Sequence, residues 1–140
     1  MSKKYDDVVT VSLLGWQDAQ ATHRQTLARI RQVDNSLNNV SELLAESFES
    51  GDVHRSSCEI ENSEAWRQRL LQTRKTLVEE SAKARSLERD AREVALGAFA
   101  KKNVALQLAS AAERDRQKKR DRAEISRLDA LSILKNWSPQ

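Results

Sequence analysis

Proline is all but missing from this chain, and its one copy, Pro139, is the penultimate residue. Nothing between residues 1 and 138 therefore forces a helix to kink or stop. Glycine is nearly as scarce, and Gly15, Gly51 and Gly97 stand isolated from one another. That isolation excludes a glycine-rich loop able to cradle phosphates. Cys58 is the only cysteine, which excludes an internal disulfide and suits a reducing compartment. No apolar run approaches the ~18 residues of a membrane span. The opening Met1-Ser-Lys-Lys-Tyr-Asp-Asp has lysines but no apolar stretch behind them, so no signal peptide is expected and the chain reads as cytosolic.

What is present is helix-forming. Charged residues make up 32% of the 140 residues and aromatics only 4%. Ala, Glu, Arg, Lys, Gln and Leu dominate, all of them good helix formers. This composition points to long helices or a coiled coil rather than a globule. The net charge of +3 is unevenly spread. Residues 1–56 hold 6 Lys/Arg against 8 Asp/Glu, residues 57–112 hold 10 against 8, and residues 113–140 hold 8 against 5. The basic excess therefore lies toward the C-terminus, where it can meet an acidic partner.

Apolar residues in the first half recur in alternating three- and four-residue steps. The expected seam runs Leu13, Trp16, Gln20, His23, Leu27, Ile30, Asp34, Leu37, Ser41, Leu44, Phe48, with Val33 and Val40 widening it. Such a 3.5-residue repeat calls for a partner helix, and the period of two that a strand needs is not visible. The pattern stops at Glu49-Ser-Gly-Asp-Val-His-Arg-Ser-Ser. Gly51 before Asp52 is turn chemistry and a candidate helix C-cap. Ser56, three residues before Glu59, has capping-box spacing, and Ser63 is the alternative start of the next helix.

The stripe resumes as Ile60, Ser63, Trp66, Leu70, Thr73, Leu77, then Ala84, Leu87, Ala91, Val94, Ala98, Ala105, Leu108, Ala112. Alanines after residue 84 allow a close helix approach but bury less area. Gly97 costs ~1 kcal/mol in a helix interior. Residues 113–122, Glu-Arg-Asp-Arg-Gln-Lys-Lys-Arg-Asp-Arg, carry no apolar side chain, and a helix polar all round bridges solvent or meets a polar partner.

The expected fold is all-α: an antiparallel two-helix coiled-coil hairpin forming a single domain over residues 1–140. Helix one covers about residues 10–49, the bend about 50–57, and a longer, protruding helix two about 57–136. The helices would span ~60 Å and ~120 Å, and a short connection favours antiparallel neighbours. Counting out from the bend sets Phe48 against the Ile60 region and Leu13 against roughly Val94 to Ala98. Everything after about residue 105 then projects past helix one.

Sites for chemistry are scarce. His23 sits on the seam, where a lone histidine is more often a packing or register residue than a ligand. His54 and Cys58 are four apart, but two ligands fall short of the four of a structural zinc site. The many carboxylates lie near Lys or Arg on charged faces, without a concave core to shift their pKa values for acid–base work. No enzyme activity, cofactor or metal is expected. The basic run 114–122 is interleaved with acids and lacks aromatics for base stacking, so it reads as a solvated face or a protein-binding surface rather than a nucleic-acid site.

The tryptophans say more. Trp16 and Trp66 fall on the seams, where core packing is the default. Trp66, Leu70, Leu44 and Phe48 gather near the bend, where two helices cannot cover both sides of an indole, which leaves apolar area for a partner. Trp137 shares the overhang with Ile125, Leu128, Leu131 and Leu134; burial by a partner, fraying and self-association are all open there. The candidate partner-binding residues are Phe48, Trp66 and Leu70 near the bend, and Arg114, Lys118, Lys119, Arg122, Ile125, Leu128, Leu131 and Trp137 on the overhang.

Two antiparallel helices, a Gly/Ser-containing bend and a longer, Arg/Glu-rich second helix in a small basic chain resemble the FliJ/YscO family of flagellar and injectisome type III secretion stalk proteins. The resemblance spans nearly the whole chain and is sharpest from Glu64-Ala-Trp-Arg-Gln-Arg-Leu to Arg120-Asp-Arg-Ala-Glu-Ile-Ser-Arg-Leu-Asp. Arg122, Glu124, Leu128 and Asp129 look like the family's charged C-terminal segment, while Ala130 departs from the acidic residue expected beside Asp129. The resemblance implies a stalk in the pore of the hexameric secretion ATPase, linked to the membrane export gate and binding export chaperones. It would place the protein at the inner face of a bacterial inner membrane, with only indirect membrane contact. A chaperone or adaptor for a secreted helical protein, and a structural dimeric coiled coil, are the alternatives.

Overall fold

Two helices account for almost every residue that the computed structural model describes, namely residues 3–49 and 57–137. Helix α1 runs Lys3–Glu49 over 47 residues and helix α2 runs Ser57–Asn136 over 80. No strand occurs among the described residues. The architecture is the expected all-α antiparallel hairpin with a longer second helix. Helix α1 begins about seven residues before the expected Thr10, because Tyr5 and Val9 extend its half-buried stripe toward the N-terminus. The proposed caps at Gly51 and Ser56, and the His54–Cys58 pair, involve positions outside the described residues.

Side-chain packing divides the chain into two units. One contains Asp18–Leu96, in which α1 from Asp18 onward runs antiparallel to the first half of α2. There Arg29 pairs with Glu80 at 3.3 Å, Asp34 with Arg85 at 3.1 Å, and Arg67 reaches Ser47. Its core is the cluster Val40, Leu44 and Leu70, with Leu77 packed against it. The other unit joins α1 up to Gln17 with α2 from Gly97 on. There Trp16 meets Phe99, their ring centroids 5.8 Å apart.

The buried stripe is a strict heptad seam, but not the expected one. On α1 its members are Tyr5, Val9, Ser12, Trp16, Ala19, His23, Thr26, Ile30, Val33, Leu37, Val40, Leu44 and Ser47, all buried or half-buried. Nine of the eleven expected positions are buried or half-buried, Leu13 beside Ser12 among them. Gln20, Leu27 and Asp34 lie at the edge, and Ser41 and Phe48 are exposed. Val33, at 2% exposure, is the most enclosed side chain of all.

The same correction applies to α2, whose seam reads Ser63, Arg67, Leu70, Leu77, Ser81, Ala84, Glu88, Ala91, Ala95, Ala98, Lys102, Ala105, Ala109, Ala112 and Arg116. Trp66, Thr73, Leu87, Val94 and Leu108, expected inside, are exposed. The reason is steric and polar together. Ala19, Val33 and Val40 bury without cost, whereas Gln20, Asp34 and Ser41 would each need a buried partner. Ala95 and Ala109 let the helices close, where Val94 and Leu108 would hold them apart.

The register differs as well. Phe48 lies under the Arg67 guanidinium at 4.9 Å rather than against Ile60. Trp16 meets Phe99 and Lys102, so Leu13 faces a later stretch of α2 than expected. The cause is visible at the start of α2. Cys58 to Asn62 are all exposed, and the seam begins only at Ser63.

Two measurements of stability check this packing. Val33→Ala, removing two enclosed methyl groups, is expected to cost about 1.6 kcal/mol at ~0.8 per group, while Leu87→Ala, at a position 60% exposed, stays within about 0.5 kcal/mol. A Cβ added at Gly97 would meet nothing within 4 Å, so Gly97→Ala should raise stability by about 0.4–1 kcal/mol. Urea titrations followed by helical circular dichroism read all three.

Candidate partner-binding surfaces

A two-helix seam leaves a flank on each side, and in the Asp18–Leu96 unit both flanks are charged halfway along. Arg29, which precedes seam residue Ile30, pairs with Glu80, which precedes seam residue Ser81. Asp34, which follows Val33, pairs with Arg85, which follows Ala84. Moving two heptads toward the bend keeps the register and changes the chemistry. The Arg29–Glu80 flank becomes Leu43 opposite Trp66, and the Asp34–Arg85 flank becomes Phe48 opposite Leu71. These four side chains are 40%, 46%, 65% and 48% exposed. The hairpin thus carries an apolar collar on both sides of its seam near the bend. Exposed pairs of this kind mark a contact surface more often than a core.

Of the three residues singled out near the bend, Phe48 and Trp66 lie in the collar and Leu70 does not. Leu70 is 5% exposed and forms the core with Val40 and Leu44, so its side chain is not available to a partner. Leu43 and Leu71 take its place. Their signal was in the sequence, but only once the seam's true phase marks them as flank positions.

At the end of α1, Arg67 does two jobs. Its Nη2 donates to the Ser47 carbonyl at 2.7 Å, satisfying one of the carbonyls that a helix C-terminus leaves without an intrahelical donor. Helix α1 has no basic residue of its own in its last turn, so Arg67 also brings the cation that a C-terminal dipole favours. The same guanidinium stacks on Phe48.

In the other unit the informative region is the C-terminal part of α2. Arg116 is half-buried and joined to Glu113 at 3.6 Å. From Gln117 to Trp137 every residue is exposed. This includes the expected Lys118, Lys119, Arg122, Ile125, Leu128, Leu131 and Trp137, with Trp137 at 81%; Arg114 is exposed just before them. Gln117 donates to Asp121 at 3.1 Å along the helix. The exposed stretch is about 30 Å long at the α-helical rise. Ile133 and Leu134 are as exposed as the residues singled out from sequence.

Within the seams, Arg67, Glu88 and Lys102 share one heptad place on α2 with Ser81 and Arg116. Arg67, Glu88 and Lys102 each have a specific acceptor or face. Glu88 meets His23 Nε2 at 3.0 Å, and both side chains are mostly enclosed. Lys102 Nζ sits 4.1 Å from the centre of the Trp16 ring and 4.5 Å from that of Phe99. His23 is thus placed as a seam partner of a carboxylate. Among the described residues no group of three or more His, Cys, Asp or Glu side chains converges to hold a metal ion. Cys58 is exposed. No helix among the described residues is long and apolar enough to cross a membrane. No known protein family, curated protein or solved structure matches the chain.

The hydrogen bond from His23 holds the Glu88 carboxyl below its ordinary value of 4.5, outweighing burial, which pushes the other way; Arg92 adds to the lowering. A carboxyl lowered on folding stabilises the hairpin above its unfolded pKa and loses that contribution as pH falls through the folded value. Wild type should therefore exceed Glu88→Gln in stability at pH 7, and the gap should close as pH drops below about 4.5. Thermal melts of both proteins across that range test this; a gap constant with pH would remove the His23–Glu88 bond from the stability of the hairpin.

Proposed function

We propose that this chain is a non-enzymatic central-stalk and coupling protein of a bacterial type III secretion apparatus. The observation that carries the reading is the C-terminal part of α2, where every side chain from Gln117 to Trp137 is exposed on a single helix. A lone helix of mixed charge can stand inside a protein ring and touch a polar sleeve without locking into one orientation. In this reading Arg114, Lys118, Lys119 and Arg122 face the hexameric secretion ATPase, and Ile125, Leu128, Leu131 and Trp137 anchor the end of the segment. The collar of Leu43, Phe48, Trp66 and Leu71 meets the membrane export gate or an export chaperone. The protein would then work at the cytoplasmic face of the inner membrane without entering the bilayer, and without a cofactor.

The exposed collar also favours a second reading, an adaptor that buries Trp66 and Phe48 against a secreted helical client. Such an adaptor forms a stable one-to-one complex with its client, and the collar substitutions Phe48→Ser and Trp66→Ser abolish it while leaving ATPase binding untouched.

Truncation after Ala112 tests the stalk reading. The expected result is loss of co-purification with the hexameric ATPase and loss of its stimulation, with helical content reduced only by the missing segment. Unchanged binding and unchanged stimulation would take α2's C-terminal segment out of the mechanism.

A further inference from the structure

The α2 seam does not end where its cover does. Its alternating steps of four and three, followed from Ser63 to Arg116 with only Arg74 turned out, continue through Lys119, Ala123, Ser126, Ala130, Ile133 and Trp137. Helix α1 begins at Lys3, and the seam is half-buried as far as Ala112 and Arg116 and exposed beyond. We propose that two copies of this chain pair antiparallel through this uncovered seam, residues 119–137 of each, about a two-fold axis.

The choice of a second copy rests on self-complementarity, judged by the pairing rule the hairpin itself obeys. In the hairpin, Leu44 packs with Leu70 and Ser47 takes Arg67. With those layers set, Arg29 and Glu80, each the residue before a seam position, pair on the flank. Apply the same geometry to two terminal segments with Ala123 opposite the partner's Ile133 and Ser126 opposite the partner's Ala130. Small residues then face large or small ones in these two layers, as close helix approach requires. Lys119 comes opposite the partner's Trp137, a cation beside an aromatic ring, as Lys102 lies beside Trp16 in the hairpin.

The flank charges select this register. Arg122 precedes Ala123 and Asp129 precedes Ala130, so Arg122 falls opposite the partner's Asp129, and symmetry repeats the pair. On the other flank Arg127 meets the partner's Leu134, where its methylenes can cover an apolar side chain. Sliding the partner by one heptad in one direction sets Asp129 against the partner's Asp129. Sliding it in the other sets Arg122 against the partner's Arg122 and Arg127 against the partner's Arg127. Only the first register is free of like-charge contacts, which coiled coils use to choose partner and orientation. The fit also ends cleanly, because the partner's Trp137 reaches Lys119 just as the cover provided by α1 runs out. This pairing does not depend on the stalk reading; it shares Lys119, Arg122 and Trp137 with that reading, while Lys118, Ile125, Leu128 and Leu131 lie off the paired seam.

Sedimentation equilibrium of the full chain carrying Cys58→Ser, at low ionic strength where exposed charges are least screened, reads the association directly. The expected mass rises with concentration from 15.9 kDa toward twice that value. Arg122→Asp and Asp129→Arg each weaken the dimer by about tenfold, and the double variant R122D/D129R recovers it, since exchanging both charges restores both pairs. All the altered side chains are exposed, so circular dichroism should show unchanged helix in each variant. A monomer at every concentration overturns the pairing, and so does a double variant no tighter than the singles.

Discussion

A seam of small side chains lets α1 and α2 approach closely, and the remaining features of the protein are set by how that approach is made. Ala84, Ala91 and Ala105 are among the most enclosed residues, together with Val33 and Val40. Alanine brings little hydrophobic area, on the order of one methyl group per position. It does bring two backbones close enough for flank residues to meet across the seam. The hairpin is therefore built from many shallow layers and one deeper cluster, Val40, Leu44 and Leu70. No single layer can dominate its stability.

Shallow layers alone would leave register weakly specified, because one alanine is much like another. The polar seam residues supply what alanine cannot. Arg67, Glu88 and Lys102 recur at a single heptad place, and each finds a different partner: a helix-terminal carbonyl, a histidine and an aromatic ring. A shift of one heptad would take Glu88 from His23 and Arg67 from Ser47, leaving enclosed charges without their partners. Polar residues in a coiled-coil seam commonly lower stability and raise specificity. Here the chemistry of each pair is distinct, so slipped registers do not substitute one pair for another.

The same economy explains why so much apolar surface remains outside. A seam packed by alanine and valine has no room for Leu87, Val94 and Leu108, which lie out on the flank. Where flank pairs are charged, as at Arg29–Glu80 and Asp34–Arg85, the surface is solvated. Where they turn apolar, as at Leu43–Trp66 and Phe48–Leu71, or where cover is lacking, as after Arg116, large apolar side chains stay exposed.

Much of this was legible in the amino-acid order. The scarcity of proline and glycine, the helix-forming composition and a 3.5-residue repeat interrupted once determined two long helices, their antiparallel pairing and the greater length of the second. The expected bounds of α2 agree with those found, and the exposure of the 117–137 stretch follows from the same pattern. The sequence could not determine which edge of each apolar stripe turns inward. Trp66 with Leu70 and Arg67 with Leu70 are both seam spacings, and on size alone the tryptophan looks the better choice. The two phases differ by about one residue, a rotation of roughly 100° about the helix axis. What decides between them is the residue waiting on the other helix: Ser47 for Arg67, His23 for Glu88, a close backbone for Ala95. That information exists only once both helices are in place, so Arg67 went to the seam, Trp66 to the surface, and Leu43 and Leu71 to the collar by tertiary packing alone.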